Sequence, residues 1–171
     1  MVGVSGSGKS TLGRDLAARL AMPYAELDAI HHQPDWAPLP EDQFRRLVTA
    51  IASGNGWVID GSYSAVLPLI WERADTVIWL NLPRRTVMRR LIWRTIRRIA
   101  GRTELWNGNR EHWRNLLTWD QQESVISWAW HHHPIYREPY TTAARDPAYS
   151  HLTFRRIATR ADLRQFLESI R

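Results

Sequence analysis

Gly3-Val4-Ser5-Gly6-Ser7-Gly8-Lys9-Ser10-Thr11, near the start of the chain, says more about it than any other stretch. Its spacing is a full match to the phosphate-binding loop pattern G-x-x-x-x-G-K-[ST], and an apolar-periodic helix follows at once. Lys9 is the one lysine among 23 lysines and arginines. A lysine offers a compact point charge on a flexible stem, whereas guanidinium offers a planar fork, so the two are not interchangeable here. Glycines let backbone N–H groups curl around phosphate oxygens, Lys9 reaches the β/γ-phosphates, and the Ser10 hydroxyl ligates Mg²⁺. The helix that follows aims its positive end at the same anion. Gly3, Ser5, Gly6, Ser7, Gly8, Lys9, Ser10 and Thr11 are therefore the expected seat of a nucleoside triphosphate, with ATP and Mg²⁺ as the expected cofactors.

Working outward, only Met1 and Val2 precede Gly3. A phosphate-binding loop follows a buried central strand, and strands run about five or six residues. The first strand therefore reads as truncated, and an added apolar N-terminal strand is expected to raise stability. A length of 171 residues suits one domain with a core of its own. Cysteine is absent, which excludes disulfide scaffolds, thiolate zinc sites and thiol catalysis. No secretory leader or apolar run of membrane-spanning length is seen, so the cytosol is the expected location. The formal charge of +6 suits an anionic ligand, and nucleic acid as a possible but less favoured one.

The periodicity predicts a helix over 9–21, a short strand Tyr24–Asp28 ending in an acid, and a helix near 41–53. Trp57–Asp60 and Thr76–Leu80 read as buried strands, and a long helix runs from Pro83 to about Ile99. After a Gly101–Gly108 loop another helix is expected at roughly 110–130, then an irregular stretch from His131 to Tyr149. Leu152–Ala158 reads as a last strand. Thr159-x-x-Asp162 resembles a capping box before a helix over 160–170. Strands alternating with helices imply a parallel α/β sheet, whose ligands gather at the carboxyl ends of the strands.

A phosphate-binding loop fixes the ligand, not the reaction. Guanine-specific GTPases read their base with an Asn-Lys-x-Asp segment, which a chain whose one lysine is Lys9 cannot contain. Motor and helicase-like ATPases carry an apolar strand ending Asp-Glu. Asp28-Ala29 and Asp60-Gly61 do not supply it. The small-molecule kinases remain, in which an arginine-bearing lid closes over the transferring phosphoryl group.

Within that branch, the order of GVSGSGKST (3–11), AELDAIHHQPDW (25–36), WVIDGSY (57–63), ADTVIWLNLP (74–83), a basic helix and a last strand-helix pair resembles a known family. It is similar to the adenylate-kinase-like proteins labelled DNA topology modulation (FlaR-related) proteins, over nearly the whole chain. The resemblance implies a P-loop NTPase three-layer sandwich of the nucleoside monophosphate kinase type. It also implies a single domain over 1–171 with a lid-like insertion at about 94–115. WVIDGSY looks like the Asp-Gly segment of nucleoside monophosphate kinases, which implies a metal- or acceptor-side role for Asp60 and Gly61. No long adenylate kinase lid fits, and no adenine-acceptor motif is present, so the acceptor's identity stays open.

The expected function is Mg-ATP-dependent phosphoryl transfer to a small acceptor, a nucleoside, nucleotide or other small anion. Lys9 and Ser10 hold the donor, Ser10 and Asp60 the metal. In similar small kinases the end of the strand after the P-loop helix holds an acid that contacts the acceptor hydroxyl or the metal water. Asp28 is therefore expected to orient the hydroxyl and take its proton, or to hold that water. Arg84, Arg85, Arg89, Arg90, Arg94, Arg97, Arg98 and Arg102 form the densest charge run, much of it a solvated helix face. Arg94, Arg98 and Arg102, with Arg110 beyond, are the lid candidates, and Arg94 and Arg98 are taken as catalytic because guanidinium donors suit equatorial phosphoryl oxygens. Of the ten tryptophans, Trp93, Trp106, Trp113, Trp119, Trp128 and Trp130 interleave with arginine; core packing and arginine stacking account for them more simply than nucleobases or an anionic surface. His31-His32 and His131-His132-His133 lack a carboxylate at ligand spacing, so a transition-metal site is not expected. The competing function is an ATP-binding module with weak hydrolysis, acting through nucleic acid or a protein partner.

Overall fold

Short apolar runs become parallel strands in the computed structural model, which describes residues 1–114, 118, 124–135 and 137–170. The loop Gly3–Gly8 leads into α1 (Lys9–Leu20), which ends at Ala21 in a left-handed conformation, ahead of Pro23. β1 (Tyr24–Glu26) runs directly into the five-residue helix α2 (Leu27–His31). α3 (Glu41–Ala52) starts after Pro40 with Glu41 and Asp42 complementing its dipole. β2 (Val58–Asp60), α4 (Leu67–Trp71), β3 (Thr76–Leu80) and α5 (Arg84–Ala100) follow. Beyond the next loop come α6 (Val125–Ile135), α7 (Arg137–Ala143), β4 (Thr153–Ile157) and α8 (Arg160–Glu168).

β1 pairs in parallel with β2, and β3 with β4. Met1 and Val2 sit between the two pairs. The Val2 amide donates to Ile78 O at 2.9 Å, Leu80 N donates to Val2 O at 3.0 Å, and Gly61 N donates to Met1 O at 3.2 Å. The residues ahead of the loop thus occupy a central position in the sheet.

Alternating side chains bury both faces of the strands. Ile59, Val77 and Trp79 join Phe44 and Val48 of α3, Ile70 and Trp71 of α4, and Tyr140 of α7. Val58, Ile78, Leu80 and Ile157 join Leu12 and Leu16 of α1, with Leu163 and Phe166 of α8 packed alongside. A third cluster puts Val87, Met88 and Leu91 of α5 against Val4 in the loop and Ile126 and Ala129 of α6. That third cluster brings the arginine helix to the phosphate-binding loop.

Two expected elements differ. Asp28 does not end a strand: β1 stops at Glu26, and Asp28 lies in the first turn of α2, because the fully buried Leu27 turns the backbone inward. The stretch 131–149 is not irregular, since α6 continues through His131–His133 and α7 follows. Tyr140 and Ala143 are buried in the core, and their packing overrides the helix-breaking signal of Pro134 and Pro139. The helix expected at 110–130 falls partly outside the described residues, as does Trp119; within them Arg114 is helical and its carbonyl accepts from Thr118 N at 3.0 Å, and α6 starts at Val125. The capping box forms as expected: Thr159 Oγ1 accepts from Asp162 N at 3.1 Å, and Asp162 Oδ2 accepts from Thr159 N at 3.0 Å.

Candidate active site

The loop has the backbone its glycines are there to permit. Gly6 and Gly8 have φ of 82° and 101°, a region that L side chains rarely adopt. Gly6 has a second reason to lack a side chain. A Cβ there would lie 2.9 Å from Leu91 Cβ, so the glycine allows α5 to press against the loop. Leu91 is fully buried at this contact. Gly13 plays the same part for β1, since a Cβ there would lie 2.6 Å from the Tyr24 ring.

Three features fit the loop for a triphosphate. No side chain caps the N-terminus of α1, which leaves its first amides free for an anion. Ser7 Oγ is buried without a partner. Lys9 Nζ folds back on Val4 O at 3.3 Å, a contact that an anionic ligand can replace.

On the cation side, Ser10 Oγ donates to Glu26 Oε1 at 2.8 Å, and Arg14 donates to the other oxygen, Oε2, also at 2.8 Å. Glu26 and Asp60 face one another in register at the carboxyl ends of β1 and β2. Asp60 is buried and accepts from the Tyr24 hydroxyl at 2.9 Å. Burial, with the Asp60 and Glu26 carboxylates nearby, pushes the Tyr24 phenol well above its ordinary value, so it stays a donor. On the acceptor side, the Tyr63 hydroxyl donates to Asp28 Oδ1 at 2.7 Å. Tyr63 is held in turn by ring contacts with His31 and Phe44, at 4.6 and 5.2 Å between centroids.

Arg90, Arg94 and Arg98 recur every fourth residue along one side of α5. Arg90 donates to Ser7 O at 3.4 Å and Arg94 to Ser5 Oγ at 3.1 Å. Arg98 pairs with Glu111 at 2.9 Å. These three arginines, with Trp93, Arg97 and Thr103, line a cleft of about 450 Å³. Burial, reinforced by Arg98, lowers the pKa of Arg94, while Glu111, Asp28 and Glu26 act in the opposite sense.

The segment after α5 folds over α2. Glu104 and Arg110 bridge antiparallel around the turn Trp106–Gly108. Asn107 Nδ2 donates to His32 O at 2.6 Å, and Asn109 Nδ2 to Gln33 O at 2.8 Å. Asn109 Oδ1 accepts from Trp36 N at 2.9 Å. His32 stacks on Trp106 at 5.9 Å.

Of the residues expected from sequence, Ser5, Lys9, Ser10 and Arg94 meet at the loop, and Asp60 and Asp28 lie at the adjoining strand ends. Arg98 bonds to Glu111 rather than to the loop, and shares a cleft with Arg94 and Arg90. Arg102 and Arg110 do not: Arg102 is exposed, and Arg110 forms an exposed pair with Glu104 at 3.4 Å. The sequence reading assigned no site role to Glu26, Tyr63, Asn109 or Glu111, and counted Arg90 only in the charge run. Asn107-Gly108-Asn109, a turn signature, was the available pointer to the fold-over.

Among curated proteins, a shikimate kinase of Nitrobacter winogradskyi is 31% identical over 166 residues, covering 87% of this chain and 70% of that protein. A shikimate kinase of Synechococcus is 32% identical over 105 residues, covering 53% of this chain and 54% of the relative. No protein-family model matches the chain, and no solved structure does. Loop, parallel strands and relatives together define an ATP-dependent kinase of the P-loop class. The chain belongs to the shikimate kinase family, within the P-loop kinases of nucleoside-monophosphate-kinase type. Among the described residues no helix is long and apolar enough to cross a membrane.

Proposed function

We propose that the chain transfers the terminal phosphoryl group of Mg-ATP to a hydroxyl of a small acceptor. The observation that carries this is the meeting of two bonds on one loop. Ser10 is tied to Glu26 on the side where a cation would sit, and Ser5 to Arg94 on the side where phosphoryl charge would develop. Lys9, the loop amides and the first turn of α1 hold the phosphates. Ser10 would ligate Mg²⁺, with Glu26 and Asp60 as the carboxylates in reach of its waters. When bound, the metal neutralises charge on the terminal phosphates. Asp28, held by Tyr63, orients the acceptor hydroxyl and takes its proton. Arg94 and Arg98 stabilise the equatorial oxygens, from a lid formed by the end of α5 and residues 101–114.

The proposal includes the three-layer sandwich of the P-loop kinases, supported by helices burying both faces of the strands. It also includes a likeness to the DNA topology modulation subgroup, which rests on the sequence order alone. The acceptor is a small hydroxylated molecule, of which shikimate, named for the relatives, is the first to try. The test is ADP release from Mg-ATP against shikimate, sugar acids, nucleosides and nucleoside monophosphates, with Lys9→Met as the blank. Stimulation by one acceptor, lost in the blank, is the expected result. ATP binding with no stimulated turnover across the panel would count against it.

A further inference from the structure

We infer that Glu111 is a positioning residue that aims Arg98 at the terminal phosphoryl group of a bound nucleoside triphosphate. This rests on the kinase reading for the place of the triphosphate. The row Arg90, Arg94, Arg98 climbs away from the loop, each step advancing about 6 Å. The first two members reach Ser7 O and Ser5 Oγ, and Arg98 is the next along the shared cleft. It does not touch the loop. Its guanidinium is held instead by Glu111, whose Oε1 accepts from Nη1 at 2.9 Å.

The form of this pair distinguishes it from a strut. It is not a surface pair, since the side chains of Arg98 and Glu111 are 22% and 6% exposed. A pair built for stability favours two parallel bonds between fork and carboxylate. Here one bond forms, and Glu111 Oε2 is left buried without a partner. The remaining N–H groups of Arg98 are free for a second anion. The neighbouring Arg94 also has a buried Nε without a partner. Of the two guanidiniums, Arg98 has one ion pair, with Glu111, and Arg94 has none among the described residues, so both keep donors for an added anion.

Glu111 can hold Arg98 only if Glu111 is itself held. It lies two residues beyond Asn109, which is buried and makes three bonds through its side chain. These join it to Gln33 O, to Trp106 O at 2.9 Å and to Trp36 N. Leu105 N also donates to Asn109 O at 2.7 Å. The backbone leading to Glu111 is therefore anchored to the segment that follows Asp28, and through it the fold-over sets where the Glu111 carboxylate meets Arg98.

The test is calorimetric binding of Mg-ATP and Mg-ADP to the full chain and to Glu111→Ala, Glu111→Gln, Arg98→Gln and Asn109→Ala. Glu111→Ala is expected to weaken Mg-ATP about tenfold while leaving Mg-ADP nearly unchanged, the scale of one charge-assisted hydrogen bond. Glu111→Gln keeps an acceptor oxygen and should fall between. Glu111→Ala combined with Arg98→Gln should lose no more than Arg98→Gln alone, a non-additivity that a merely structural residue would not show. Equal weakening of both nucleotides, or an unchanged ratio, would overturn the inference. If Glu111→Ala does not fold, Glu111→Gln and Asn109→Ala decide by the same ratio. Loss of every acceptor-stimulated turnover with ATP-over-ADP preference intact would instead sink the kinase reading and leave Glu111 in place.

Discussion

Ser10 and Glu26 are joined by a 2.8 Å hydrogen bond across α1 and β1, and Arg14 holds the other oxygen of the same carboxylate. Glu26 is thus fixed beside the hydroxyl expected to ligate the metal. A carboxylate so placed orients metal-bound water and favours cation binding. Glu26→Gln keeps a hydrogen-bond acceptor for Ser10 but removes the charge. It is expected to raise the Mg²⁺ concentration needed for half-maximal turnover by about tenfold. Binding of ATP without metal should stay near the parent value. A magnesium titration of ADP release separates the two, and an unchanged half-maximal concentration would remove Glu26 from the metal side.

Asp28 and Tyr63 make the second test. The Tyr63 hydroxyl donates to Asp28 Oδ1 and thereby orients the carboxylate. Asp28→Asn is expected to lower kcat by about a hundredfold or more, the usual weight of a positioned base. Tyr63→Phe leaves the carboxylate present and should cost less. Calorimetric ATP affinity is expected to hold in both variants. Equal turnover in Asp28→Asn and the parent would refute the assigned role.

The elements with local causes were legible. α1, α3, β3 and the Thr159–Asp162 capping box rest on periodicity, flanking proline and acid placement, all of which act within a few residues. The loop was legible because its chemistry is contiguous. Glu26 was not, because a three-residue strand ends where Leu27 finds the core, and that is a tertiary fact. α7 was hidden by Pro139, whose breaking signal loses to Tyr140 packed on Trp79 at 5.6 Å between ring centroids. The fold-over was the least visible feature: Asn109 and Gln33 lie 76 residues apart, and no periodicity reports such a contact.

His31 and His32 give the fold-over a pH dependence. Burial lowers the pKa of both imidazoles; for His31 the neighbouring His32 adds to this, and Asp28 opposes it for both. Their surroundings are aromatic: His32 contacts Trp36 and Trp106, and His31 contacts Phe44 and Tyr63. With the folded pKa below the unfolded value near 6.5, the unfolded chain binds more protons in the interval between them. Stability from these groups is therefore whole above about 6.5 and lost as pH falls towards their lowered folded values. The melting temperature is expected to decline on acidification from pH 7.5 to 5, and less steeply in a His31→Gln, His32→Gln double variant. Parallel slopes for the two proteins would contradict this.

Gly6 carries the last prediction, because it links the packing of α5 to the chemistry of the loop. Its φ of 82° already disfavours any side chain. A methyl group there would meet Leu91 Cβ at 2.9 Å and Val87 O at 3.1 Å, neither of which is the movable end of a flexible side chain. To admit it, α5 must shift away from the loop and carry Arg90 and Arg94 with it. Gly6→Ala is therefore expected to cost about 1–3 kcal/mol of stability, the scale of overpacking in a closed core. It should also weaken Mg-ATP binding, since the arginines leave Ser7 and Ser5. Leu91→Gly in the same chain removes the Cβ that the methyl group would meet, and leaves a cavity. It is expected to restore nucleotide affinity more than stability. Denaturant melts and calorimetry on the two single variants and the double would read that coupling directly. Strict additivity in both measurements would show that the contact between Gly6 and Leu91 does not place the arginines.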